Sequence, residues 1–239
     1  MSRLGLVLKA EMIFGLLVVV RHRAVRLAGL LALAILALGV ADRAEGGGFA
    51  TAQALIMAGG IVTAVAASRP LAPGATVWAA RRVAAGWWLV PAGRLAGVLA
   101  LVLPILAVST PALGLHAPAG PPVALAAAVF AAALGALVLA LSPVVGASAA
   151  ATLGFLAAFL GGVPPSTVAD MLAPWSVFQK AAVVLWNVLP LPWRVTRWLG
   201  GSPGHGVVLL AWIVLGGGAA ALALARTHRL DAVPPVEGR

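Results

Sequence analysis

The chain has 239 residues; 62% are hydrophobic, 9% are charged, and the formal net charge is +10. A soluble domain is roughly half apolar and a quarter charged, so this composition excludes an ordinary globular enzyme and equally excludes disorder. It fits a polytopic membrane protein, a single transmembrane domain over residues 1–239 with no room for a separate soluble one.

In chain order, residues 12–20 are apolar, with Lys9 and Glu11 before them and Arg21, His22 and Arg23 after. The stretch is too short to span, so residues 1–23 are expected to form an interfacial helix, apolar side down; an ordinary cytosolic start is the alternative. No small-residue cleavage site follows it, and no cleavable signal is expected. Five uncharged stretches then have the length to cross a bilayer: residues 49–67, 95–113, 123–141, 145–163 and 207–225. Each is ~28 Å long at ~1.5 Å per residue, the thickness of the hydrocarbon core. Unpaired backbone groups are costly in lipid, so the spans are expected to be helical. A shorter sixth span, residues 27–41, is extended by the snorkelling side chains of Arg23 and Arg26.

Orientation follows from the basic residues. The amino end (Arg3, Lys9, Arg21, Arg23, Arg26), the loop after the second span (Arg69, Arg81, Arg82, Arg94) and the carboxyl tail (Arg226, Arg229, Arg239) share one side. The other side holds Arg43, Lys180, Arg194 and Arg197. The expectation is six spans in the cytoplasmic (inner) membrane with both termini cytoplasmic. Topology also accounts for the positive charge, and no nucleic-acid partner is expected.

The connections differ in length. Ser142, Pro143 and Val144 alone join the fourth and fifth spans, which are expected to pack as antiparallel neighbours. The extracytoplasmic segment 164–206 is long and carries Trp175, Trp186, Trp193 and Trp198. Amphipathic rings favour the headgroup level, so short helices lying in the outer leaflet are expected here. Residues 181–189 are apolar but too short to cross, and Pro190 and Pro192 end them. Gly59-Gly60 and Gly216-Gly217-Gly218 predict close helix packing. Pro104 marks a position where the third span can kink.

Catalytic chemistry is sparse. All six acids (Glu11, Asp42, Glu45, Asp170, Asp231, Glu237) lie outside the spans, and cysteine is absent. Proton-relay and thiolate chemistry at depth are therefore excluded, and no Walker-type phosphate loop or HExxH occurs. Gly200-Gly201-Ser202-Pro203-Gly204 satisfies GxSxG with His205 beside it. A nucleophile elbow needs a strand before the serine, and these flanks favour a plain turn. His22, His116, His205 and His228 lie in four different loops or termini and read as solvated side chains. No cofactor or metal is expected.

The cytoplasmic loop 68–94 carries the most information. Pro70, Pro73 and Gly74 open it, a helix expected over residues 76–85 would bear Arg81 and Arg82, and Gly86 and Pro91 punctuate the approach to the third span. Trp87 and Trp88 are expected at headgroup level. The residues fit equally a basic surface helix that sets topology and a docking lever for a cytosolic partner.

The interfacial amino-terminal helix, six spans, basic inter-span helix and outer helices together resemble the permease subunit of type-2 ABC exporters. Gly74-Ala75-Thr76 looks like the start of that family's coupling helix, and Pro91-Ala92-Gly93-Arg94-Leu95-Ala96-Gly97 looks like its approach to the third span. Two departures are a missing acidic residue before Gly74 and a long Gly-to-Pro spacing. The resemblance implies an all-α integral membrane permease that works as a dimer, with a second copy or a paralogue. It implies a separate cytosolic ABC ATPase, and Arg81, Arg82, Trp87, Trp88, Pro91 and Arg94 as coupling residues. A haem-delivery or cytochrome-maturation permease and a non-transporting membrane scaffold are the competing expectations. An integral membrane enzyme is disfavoured by the missing intramembrane acids, histidines and cysteines.

Overall fold

The computed structural model describes residues 3–43, 48–69, 88–115, 120–173 and 176–230, and among these every regular element is an α-helix. In chain order they are α1 (Arg3–Arg21), α2 (Arg23–Arg43), α3 (Gly48–Ala67), α4 (Leu89–Ala112), α5 (Val123–Val145), α6 (Ala147–Leu160), α7 (Pro165–Met171), α8 (Ser176–Val188), α9 (Pro192–Leu199) and α10 (Pro203–Leu230). Five of them, α2, α3, α4, α5 and α10, are long and apolar enough to cross a membrane. A sixth crossing is available if α6 and α7, bent by 99°, are taken as one span.

Helices α3 and α5 form the centre. Helix α3 packs against α2, α4, α5 and α6, while α5 packs against α3, α4, α6 and α10. Ile61 and Ala64 of α3 meet Phe130, Leu134 and Val138 of α5 in the buried core. Lipid is as apolar as leucine, so association rests on close approach and on polar contacts between helices. A β-carbon on Gly39 of α2 would lie 2.4 Å from that of Ala54, and the Thr51 hydroxyl donates to the Gly39 carbonyl at 2.7 Å. A β-carbon on Gly216 of α10 would lie 2.7 Å from the Ala136 backbone. The glycine runs thus divide: Gly60 and Gly216 pack closely, whereas Gly217 and Gly218 face open space.

The breaks differ from the sequence expectation. Helix α5 runs through Ser142, Pro143 and Val144 and ends at Val145, so Gly146 alone makes the connection to α6. Pro143 has no N–H for the Leu139 carbonyl, and the Ser142 hydroxyl donates to that carbonyl at 3.3 Å. Gly146 breaks the helix because it adopts φ 86°, ψ 155°, a region that is essentially glycine-only. The fifth apolar stretch holds a helix of 14 residues, too short to cross alone, before the chain turns through Gly161–Pro164 into α7. Helix α4 starts at Leu89 and continues past Pro104 and Pro111, so the end of the expected loop 68–94 is already helical.

Candidate functional site

The most polar buried feature among the described residues lies where α1 crosses the start of α4. Pro91 sits in the first turn of α4, where its missing N–H is one of those a helix leaves unpaired anyway. Gly93 and Gly97 follow one turn apart, with Arg94 between them. A β-carbon on Gly97 would lie 2.4 Å from the Met12 carbonyl oxygen, and one on Gly15 would lie 3.0 Å from the Arg94 Cα. The two backbones therefore touch with no side chain between them, as small residues permit.

Against this seam the Arg94 Nε donates to Glu11 Oε2 at 2.8 Å. Its guanidinium lies 4.8 Å from the centre of the Phe14 ring. Glu11, Phe14 and Gly15 stand at i, i+3 and i+4, so one face of α1 presents all three. Arg94 is 1% exposed and Glu11 7%. A lone charge at such a place is very costly, whereas a paired and hydrogen-bonded one is tolerated. The pair adds little net attraction over an apolar substitute, but it ties α1 to α4 in one register.

The expected coupling residues divide around this joint. Trp88, immediately before α4, is 60% exposed, while Pro91 and Arg94 are buried. Arg81, Arg82 and Trp87 lie outside the described residues. Arg94 is not a solvated loop residue that marks topology: it is a helical residue paired across 83 positions of sequence. Sequence reasoning missed its partner. The available signal was Gly93-x-x-x-Gly97 around an arginine, with one acid at the edge of an apolar helix.

Where α1 gives way to α2, the His22 ring accepts a hydrogen bond at Nδ1 from the Ala24 N–H at 3.2 Å and caps α2. Partial burial, and secondly the charge of Arg69, hold the His22 imidazole below its ordinary pKa. Both favour the neutral ring, the form that accepts this hydrogen bond.

At the opposite end of the core, Arg194 of α9 is buried, 4% exposed, against the end of α8 and the start of α10. It donates from Nε to the Leu189 carbonyl at 3.0 Å and from a terminal nitrogen to the Asn187 carbonyl. The Trp193 indole N–H donates to the Trp186 carbonyl at 3.4 Å, and that of Trp212 to the Val188 carbonyl at 2.6 Å. The carbonyls left open at the end of α8 are thus satisfied by side chains. Trp193 is buried, and Trp198 packs its ring against Gly206 and the core. These two tryptophans pack against the protein and anchor this end of the fold; Trp175 lies outside the described residues.

The GxSxG segment lies between two helices, α9 and α10, with Ser202 exposed. Its neighbour His205 packs edge-on against Trp193, ring centres 5.1 Å apart, and approaches an Arg194 nitrogen at 3.3 Å. The strand that a nucleophile elbow requires is missing from this segment. His116 lies outside the described residues. Among the described residues no group of three or more His, Asp and Glu side chains is placed to hold a metal. Comparison with protein-family models, curated proteins and solved structures gives no match.

Proposed function

We propose that the chain is the permease subunit of an ATP-driven exporter resembling the type-2 ABC class, working as a dimer with a separate cytosolic ATPase. The observation that carries this reading is the joint between α1 and α4. The loop before α4 bears Arg81 and Arg82 and leads through Trp88 and Pro91 into a helix locked to α1 by Glu11 and Arg94. Force applied to that loop moves α4 and α1 together, because close-packed elements shift as units and do not deform continuously.

In this reading both termini and the loop are cytoplasmic, in line with the basic-residue bias. Helix α1 lies at the inner interface, and α7 to α9 lie at the outer surface. Closure of the ATPase pair displaces the loop, the spans rearrange, and substrate leaves outward. The membrane subunit does no covalent chemistry, and ATP hydrolysis belongs to the partner, since the chain has no Walker-type loop.

The test is ATP turnover by the tagged chain, purified alone and then with its partner from native membranes. The isolated chain is expected to hydrolyse no ATP, and the complex to contain a Walker-motif ATPase whose turnover responds to the permease. Robust hydrolysis by the isolated chain, or a complex without such a subunit, overturns the proposal.

A further inference from the structure

Beside the core, α2, α3 and α4 leave a groove of about 570 Å³, within the ~300–1,000 Å³ typical of ligand sites. Leu33 and Leu36 of α2, Ala58 and Val62 of α3, and Leu101 and Ile105 of α4 line it. The groove opens sideways, where Leu30, Leu33 and Ile105 are exposed. Among the described residues Arg26 is the one charged member of its lining, and it stands at one end.

We infer that this groove seats one acyl chain of an anionic phospholipid, with the headgroup phosphate held at Arg26. Three observations support that occupant over a soluble ligand or a neutral lipid. The groove offers hydrocarbon throughout its length and a cation at its mouth, which matches an anionic amphiphile. Its extent along α2, from Arg26 to Leu36, is ~15 Å at ~1.5 Å per residue, half of the ~30 Å hydrocarbon core. That is the depth of one leaflet. Arg21 and Arg23 stand within five residues of Arg26, before and at the start of α2, and add positive charge there.

Gly29 forms part of the wall, and a β-carbon built there meets no atom within 4 Å. The space beside α2 is therefore open, and a larger side chain enters it without collision. The inference does not depend on the ATPase partnership, since a resident lipid fits a transporter and a scaffold alike.

Native mass spectrometry tests it on the purified chain from vesicles containing phosphatidylglycerol and phosphatidylcholine of identical acyl chains. Retention of one phosphatidylglycerol is expected, favoured about fivefold, as ~1 kcal/mol per basic residue near a charged surface implies. Arg26→Gln, at an exposed position, is expected to abolish the preference and keep the occupancy. Gly29→Leu is expected to insert normally and to lose both lipids. A second copy covering the groove is tested with Leu33→Cys, because the chain has no other cysteine. Absence of retained lipid, equal retention in all three proteins, or a disulfide between two Leu33→Cys copies in membranes overturns the inference.

Discussion

Glu11 and Arg94 meet inside the α1–α4 seam, and the chemistry of that meeting makes two substitutions behave oppositely. Glu11→Ala leaves the Arg94 guanidinium buried without its carboxylate, a change that costs about 3–5 kcal/mol in buried pairs. The paired substitution Glu11→Leu with Arg94→Met removes both charges and is expected to recover most of that loss. Thermal unfolding in detergent measures both; a single variant as stable as wild type contradicts the burial of the pair. His22 supplies a pH test. Its folded pKa is depressed, by burial first and by Arg69 second, so the neutral ring is the stabilising form. That contribution is full above the ordinary imidazole value of about 6.5 and is lost as pH falls through the lowered one. Stability is expected to decline on acidification in this window. His22→Asn, which caps without titrating, is expected to flatten the decline, and an unchanged slope removes His22 as its source. At this scale the sequence was partly legible. It displayed the glycines and the charges, but the pairing of positions 83 apart is decided by packing that no local pattern carries.

The apolar helices were legible because lipid imposes one rule, about twenty apolar residues with every backbone group paired. Residues 48–67, 89–112, 123–145 and 203–230 fold as helices over the expected stretches. The breaks were not legible, because they depend on backbone angles and orphaned carbonyls more than on hydropathy. Ser142-Pro143-Val144 reads as a loop by proline content, yet a serine hydroxyl covers the carbonyl that Pro143 leaves open and the helix continues to Gly146. Gly146→Ala is expected to cost about 1–3 kcal/mol, the range for a side chain forced into so sparse a region. The penalty is all backbone, since a β-carbon there meets nothing within 4 Å. Gly217→Ala, in helix and also open, is the control and is expected to be neutral or stabilising. Equal stabilities of the two variants in thermal unfolding contradict the assigned break. The tryptophans of α8 and α9 were read by their preference for the interface. That preference does not reveal that Trp193 and Trp186 donate to carbonyls at 3.4 Å and 2.9 Å, a need set by the helix ends they meet.

Among the described residues, two centres built on buried charged side chains lie at opposite ends of an alanine-rich core. Arg194 with its carbonyl partners closes the α7–α9 end, and the Glu11–Arg94 pair ties the other end together where α4 emerges from the loop. A hydrogen-bonded far end and a buried ion pair between α1 and α4 are what the proposed force-receiving membrane subunit requires. Surface charges contribute only ~0–1 kcal/mol each, so reversing Arg81 alone is expected to change little. Aromatic anchors dominate interface energetics, which makes the combined change informative. The measurement that bears most directly on the proposed role is ATP turnover and co-purification of the proposed permease–ATPase complex at matched expression. It compares wild type with the variant Arg81→Glu, Arg82→Glu, Trp87→Ala, Trp88→Ala. Membrane insertion is expected to survive, because the basic amino end still sets orientation, while assembly and permease-dependent ATP hydrolysis fall by tenfold or more (about 1.4 kcal/mol per tenfold). Recovery of the variant complex with undiminished turnover would contradict a coupling role for this loop.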